Sequence, residues 1–190
     1  MKLKQLLLFS MMLIAMLACT PQVSQSTLVV PASLESMADK ADTIVNGTIR
    51  SSHGYREGDW IFTSVKVDVH EYIKSDDSSR PSVIELKVPG GEAEGQRTII
   101  DRAPRFKPGQ EVLLFLDHRK DKYVVFGIYY GACYVVNDMD GVSKKVVGPV
   151  FTERKVINAK TRKLSSNPLP SDGEKLESFV QRIKELIDRK

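Results

Sequence analysis

The chain has 190 residues, of which 42% are hydrophobic and 27% charged, with a formal net charge of +4 and two cysteines. That is the composition of a soluble globular protein, long enough for one domain plus targeting and tail segments. It excludes dependence on disulfide staples, because a chain of this size buries a sufficient core without them.

Residues 1–18 break the pattern. Met1-Lys2-Leu3-Lys4 is a short basic start, and the segment from Leu6 to Ala18 is almost wholly apolar. It is too short for a permanent membrane span and has the form of a signal peptide, so the protein is expected to be exported. The run ends Ala15-Met16-Leu17-Ala18-Cys19-Thr20, which resembles a bacterial lipoprotein signal. The resemblance implies that Cys19 receives the lipid and that the mature protein is anchored to a membrane of the cell envelope. Ordinary cleavage, giving a secreted or periplasmic soluble protein, is the alternative. It fits less well, since Met16 breaks the small-x-small rule and Pro21 obstructs cleavage after Thr20. Loss of Lys2 and Lys4 lowers the net charge to +2, which divides unevenly. Residues 19–143 hold 14 basic and 18 acidic side chains, a net of −4, and residues 144–190 hold 12 and 6, a net of +6. The basic end is read as a solvated face, with anionic lipid or an acidic partner as the alternative.

Residues 19–32 are Ser-, Gln- and Thr-rich and read as a tether. Ser33 caps a short helix over Leu34 to Ala41, with Leu34, Met37, Ala38 and Ala41 at helical spacing. Ile44 to Ile49 is a strand, and Gly47 inside it marks a bulge or bend. His53 to Asp59 reads as a turn region. Beyond it Ile61, Thr63, Val65, Val67 and Val69 alternate with Ser64, Lys66, Asp68 and His70, giving a long strand with one wet face. A polar loop over residues 75–81 leads to a strand from Val83 to Val88.

Gly90 and Gly91 then turn the chain, Gln96 to Asp101 forms a short strand, and Pro104, Pro108 and Gly109 make a corner. That corner feeds Val112-Leu113-Leu114-Phe115-Leu116, a continuous apolar run expected to be the buried centre of a sheet. Charged residues from His118 to Lys122 turn it into a partner strand over Tyr123 to Ile128. Ala132 to Val136 and Val142 to Val150 form a further hairpin around Asp138-Met139-Asp140-Gly141. Residues 151–170 are basic and irregular. Ser171-Asp172-Gly173-Glu174 has capping-box spacing, and Leu176, Phe179, Val180, Ile183, Leu186 and Ile187 then form the apolar stripe of an amphipathic helix expected to cover the domain.

The many short strands with turns between them define a mainly β domain over residues 33–150, a barrel or small sandwich with an added hairpin, a short N-terminal helix and a C-terminal helix over 171–190. Chemistry is sparse. His53, His70 and His118 are scattered, without metal-ligand spacing. Asp138-x-Asp140-Gly141 lacks the remaining ligands of a calcium loop, since Val136 and Val147 stand at its ends. A nucleophile elbow and a Walker loop are absent, and no cofactor is expected. Cys133 reads as a small buried hydrophobe; a bridge to Cys19 is conceivable only if Cys19 is not acylated. One cluster has texture: Trp60, Phe62 and Tyr72 with Lys66 and His70 on the polar side of the long strand, and Arg102, Arg105 and Phe106 at the proline corner. Such a surface can stack a base or a sugar, although cross-strand packing is its more common use. Export removes most nucleic-acid partners.

Ala41-Asp42-Thr43-Ile44-Val45-Asn46-Gly47-Thr48-Ile49, Phe62-Thr63-x-Val65-x-Val67, Val88-Pro89-Gly90-Gly91 and Ala103-Pro104-Arg105-Phe106-x-Pro108-Gly109-x-Glu111 into the apolar run resemble an uncharacterised group of exported bacterial proteins. More distantly, the order of these segments is similar to OB-like barrels of the netrin and metalloproteinase-inhibitor type, which implies a five-stranded barrel. Those inhibitors use a free amino-terminal cysteine and several disulfides, whereas here Cys19 is expected to be acylated and Cys133 stands alone. The functional expectation is an envelope-anchored binding or scaffolding protein with a protein partner and no enzymatic activity. Two alternatives remain open: a hydrolase or sugar-acting enzyme drawing an acid-base pair from Asp59, Glu92 or Glu94, and a protease inhibitor.

Overall fold

The computed structural model describes residues 33–76, 78–148, 156–157, 164–165 and 173–189. The expected signal peptide, the lipid-attachment residue Cys19, the tether and most of the basic 151–170 segment lie outside the described residues. The elements are helix α1 (Leu34–Lys40), strands β1 (Thr43–Glu57), β2 (Trp60–Ser75), β3 (Val83–Pro89), β4 (Gly91–Ala93), β5 (Gln96–Thr98), β6 (Glu111–Arg119), β7 (Lys122–Val125), β8 (Ala132–Asn137), β9 (Lys144–Val147), β10 (Val156–Ile157), β11 (Leu164–Ser165) and β12 (Glu174–Lys175), and helix α2 (Leu176–Asp188).

The apolar run forms the middle of β6, where Val112 to Leu116 are all buried. It has neighbours on both edges. β1 pairs antiparallel along it from Thr43↔Leu116 to Thr48↔Glu111, while the other edge pairs with β8 over Glu111–Leu114 and with β7 from Leu116 onward. Its two faces are also covered. Val112, Leu114 and Leu116 join Val45, Val65, Val67, Ile84, Leu86 and Val88 in one core, and Leu113 and Phe115 join Met37, Cys133, Phe179 and Ile183 in another. A strand enclosed on both faces has no wet side, which is why its sequence does not alternate.

The first of these cores fills a five-stranded ring. β1 pairs with β2, β2 with β3, β3 with β7, β7 with β6 and β6 again with β1. The β3–β7 seam is parallel and consists of one bridge, Leu86↔Tyr123, so the sheet is barrel-like and not fully closed. This is the OB-like arrangement, a partly open barrel. The hairpin of β8 and β9 extends the sheet beyond β6, with β12 at its edge. The short β4–β5 hairpin and the β10–β11 pair are separate from it.

The second core is a layer of helices on the outer side of β6. Ser33 caps α1 by accepting the Ser36 N–H at 3.1 Å. At the other end Lys74 Nζ donates to the carbonyls of Ala38, Asp39 and Ala41 at 3.2, 2.8 and 2.6 Å, placing a cation where a helix leaves unpaired acceptors. α2 buries Phe179, Val180 and Ile183, with Leu176, Leu186 and Ile187 partly buried beside them. The expected apolar stripe therefore packs against the domain.

Several boundaries differ from the sequence expectation. The region from His53 to Asp59 is not a turn: β1 runs to Glu57 and only Gly58 and Asp59 lie between it and β2. Tyr55↔Phe62 and Glu57↔Trp60 pairing extends the hairpin through polar residues that carry no alternating signal of their own. Tyr72 does not share the face of Lys66. The β1–β2 register shifts beside His70, and Tyr72 packs partly against the barrel core while its hydroxyl donates to the Pro81 carbonyl at 2.7 Å. The bulge or bend expected at Gly47 falls on the partner strand: the shift at Asn46/Gly47 leaves His70 of β2 as the extra residue, and Gly47 opposite it has no room for a Cβ, which would run into the Asp68 carbonyl.

β7 ends at Val125 rather than Ile128, because the chain must reverse to bring β8 alongside β6. Phe115 is the hand-over point: its carbonyl accepts the Phe126 N–H at 2.9 Å and its N–H donates to the Gly131 carbonyl at 2.8 Å. The capping box does not form as expected. Glu174 pairs with Val146 in β12, α2 begins at Leu176 without a side-chain cap, and the Glu174 carboxylate binds Arg182 at 2.6 Å. The strand expected over Gln96 to Asp101 stops at Thr98 and pairs only with β4.

Candidate functional site

The cleft at the mouth of the barrel

β4 and β5 fold back across β1 and β2, and the residues after β5 continue along the same end of the barrel. Together they border an open cleft of about 360 Å³. Val65, Val88 and Phe106 contribute its apolar floor, and Ser52, Thr63, Glu92, Arg97, Thr98 and Arg105 contribute polar groups. The approach of β4 is set by glycine. A Cβ at Gly54 would collide with the Glu92 carbonyl, and one at Gly91 would collide with Thr63 Oγ1. Gly90 and Gly91 also adopt φ values of 86° and 135°, so the turn that launches β4 needs them twice over. Thr63 Oγ1 donates to the Gly90 carbonyl at 2.7 Å and Gly90 N–H donates to the Ile61 carbonyl at 2.9 Å, fixing that turn on β2.

Arg56 ties the tip of the β4–β5 hairpin to β1, donating to Glu94 at 2.9 Å and Gln96 at 2.5 Å. On the other side, Pro108 and Gly109 form a turn held on β1: Gly109 N–H donates to the Ile49 carbonyl and Ile49 N–H to the Gln110 carbonyl, both at 2.8 Å. Both walls are therefore anchored to the same strand.

The expected site residues divide among different places. Phe106 is buried in the barrel core, 6.2 Å from the Tyr134 ring, and offers only a share of the cleft floor. Arg105 lines the cleft, as do Pro104, Gly90 and Gly91. Arg102 points to a different cluster: its guanidinium lies 5.7 Å from the Tyr129 ring centroid and 3.4 Å from the Tyr129 hydroxyl. Arg97 was not anticipated. Its position opposite Glu92 follows from the β4–β5 register, and the two-residue turn Glu94-Gly95, both at positive φ, is the signal that could have placed it.

The outer face of β1, β2 and β3

Phe62 does not stand with Tyr72 but against Tyr55, with ring centroids 6.1 Å apart. Lys87 Nζ sits 4.0 Å above the Phe62 ring and binds Glu57 at 2.6 Å; Lys122 lies 5.5 Å from the Tyr55 ring and binds Glu85 at 2.8 Å. The Lys122 ammonium and then the Ser64 hydroxyl hold the Glu85 carboxyl below its ordinary range, and Lys87 does the same for Glu57. Aromatics and cations here satisfy one another across strands, the common structural use of such pairs. Trp60 is 64% exposed at the start of β2. Lys66 is exposed beside Glu85, its cross-strand partner, and His70 Nε2 lies 3.2 Å from Thr48 Oγ1.

Remaining titratable groups

Asp59, Glu92 and Glu94 are all exposed, and Glu94 is engaged by Arg56. His118 packs on Tyr123 at 4.9 Å, while His53 is exposed on β1. Among the described residues no three His, Cys, Asp or Glu side chains converge on a possible metal position. Asp138 and Asp140 organise the β8–β9 turn: Asp140 accepts the Val142 and Ser143 N–H groups at 2.9 and 2.8 Å and the Ser143 hydroxyl at 2.6 Å. Cys133 is fully buried, and desolvation pushes its thiol up to about 12. It is a packing residue in this environment. No helix among the described residues is long and apolar enough to cross a membrane.

A scan of known protein families finds no match to this chain, and a search of curated proteins finds none similar to it.

Proposed function

We propose that this protein is a lipid-anchored binding or scaffolding module of the bacterial cell envelope, presenting the cleft at its barrel mouth to a protein partner. The observation that carries this reading is the contrast between a barrel filled by its own side chains and an open cleft built at its end. The barrel interior is occupied by its own apolar side chains, which favours recognition at the mouth, where OB-like barrels expose their connecting segments. Anchoring at Cys19 and export rest on the apolar leader and the lipoprotein-like Ala18-Cys19 pair. The similarity to netrin- and metalloproteinase-inhibitor-type barrels belongs to the same proposal and rests on the order of the sequence segments.

A photocrosslinking amino acid at Ile99, 63% exposed on the cleft lining, tests the reading in cells making the full chain. A discrete protein adduct from Ile99, absent when the crosslinker is moved to Met139 on the β8–β9 turn, is the expected result. Recovery of uncrosslinked protein alone under several growth conditions would overturn it. Fatty-acid labelling that is lost in Cys19→Ala is expected for the anchor; equal labelling of both forms would remove the lipoprotein assignment.

A further inference from the structure

Arg97 and Arg105 reach the same cleft from different walls, one on β5 and one on the proline corner. Both are exposed, and neither side chain forms an ion pair or hydrogen bond among the described residues. Other cations around the barrel, such as Arg56 and Lys87, engage acidic partners, whereas the two cleft arginines keep their donors open to a ligand. Glu92 is the single acidic residue of the lining. It stands directly opposite Arg97 in the β4–β5 register without pairing to it, which leaves the lining with a net charge of +1.

Resting on the binding reading above, we propose that the cleft takes an extended segment of the partner protein through an internal Asp or Glu side chain held between Arg97 and Arg105. Guanidinium groups match carboxylates with two parallel N–H donors, and paired arginines are a recurrent device for acidic-motif recognition. An extended segment fits a cleft whose two arginines are exposed to solvent on opposite walls, whereas small-molecule pockets bury most of their ligand behind mainly apolar side chains. The floor of Val65, Val88 and Phe106 takes an apolar side chain adjacent to the acid. Glu92 acts against the bound carboxylate, lowering affinity and rejecting segments with a second acid beside the first.

The test uses the full chain in detergent and fluorescent hexapeptides with blocked termini, each carrying one central Asp, Asn or Lys flanked by Val and Thr. The Asp peptide is expected to bind, with Asn and Lys at least about 10-fold weaker, the range of one hydrogen-bonded charge. Arg97→Ala and Arg105→Ala should each weaken Asp-peptide binding by about 10-fold, and Glu92→Gln should strengthen it. Equal binding of Asp and Asn peptides, unchanged affinity in both arginine variants, weaker binding in Glu92→Gln, or no binding of any peptide would each overturn the proposal. Crosslinking from Ile99 in cells separates this from the broader reading. An adduct that persists undiminished in the Arg97→Ala, Arg105→Ala double variant removes the acidic clamp and leaves the binding role standing. Peptide binding as expected, without any adduct in cells, supports the clamp and removes the envelope partner.

Discussion

Gly54 and Gly58 lie four residues apart in the same hairpin and are constrained by different physics. At Gly54 a methyl group meets the backbone carbonyl of Glu92, which cannot move without lifting β4 from β1. At Gly58 the φ of 58° penalises any side chain, but nothing lies within reach of the added carbon. Gly58→Ala should therefore cost about 1–2 kcal/mol, the left-handed backbone penalty alone. Gly54→Ala should cost as much or more, up to about 3 kcal/mol for overpacking, and should also perturb amide resonances of Glu92, Arg97 and Thr98, which Gly58→Ala leaves in place. Urea denaturation and amide spectra of the two variants check the order. Asp140 gives a pH-dependent counterpart. The Ser143 hydroxyl and then the Ser143 and Val142 N–H groups hold its carboxyl at about 2, below the ordinary 3.8. A depressed folded value contributes stability above pH 3.8 that is lost as pH falls through about 2. Asp140→Asn keeps an acceptor for the backbone amides, so its melting temperature should lie below wild type at pH 7 and converge with it toward pH 2. A constant gap across that range would contradict the assignment.

At the scale of elements, α2 earns its place through its buried stripe and not through its start. It has no side-chain N-cap, and Glu174, two residues before its start, is committed to β12 and Arg182. Phe179 is fully buried between α1 and the outer side of the sheet, so Phe179→Ala should destabilise the domain by about 3–5 kcal/mol, read from chemical denaturation. Glu174→Ala should shift stability far less, because its ion pair is partly exposed. The stripe was legible in the sequence because a 3.6-residue period needs no partner to be seen; the capping motif misled because the same spacing arises where a short strand precedes a helix. The same distinction runs through the sheet. β2, β3 and β6 show in their apolar patterns, whereas the outer half of β1 is polar on both faces and becomes a strand only through its pairing with β2. The change of face at Tyr72 comes from a register shift, a property of two strands together. In the cleft, Arg105 stands next to a visible proline corner, while Arg97 reaches the site through a hairpin that only folding brings back across β1 and β2.

At the scale of the whole molecule, the two cysteines report on both halves of the proposed architecture in one measurement. Cys133 lies between the barrel and the helix layer, contacted by neither solvent nor a second cysteine among the described residues, and burial keeps its thiol protonated. The thiolate is the reactive form, so a native molecule should show no reaction at Cys133 with a thiol reagent at pH 8 until the helix layer opens. Phe179→Ala loosens that layer and should speed labelling, the logarithm of the rate rising with the loss of stability, as expected when an opening equilibrium controls access. Denaturation then counts what remains. If Cys19 carries lipid through its sulfur, the processed protein exposes one titratable thiol on unfolding, with or without reductant. Two thiols without reductant would show Cys19 to be unmodified, and two thiols appearing only after reduction would show a Cys19–Cys133 bridge. Either outcome would remove the anchor from the proposed function, and the bridge would also require Cys133 to leave its buried position between β8 and the helices.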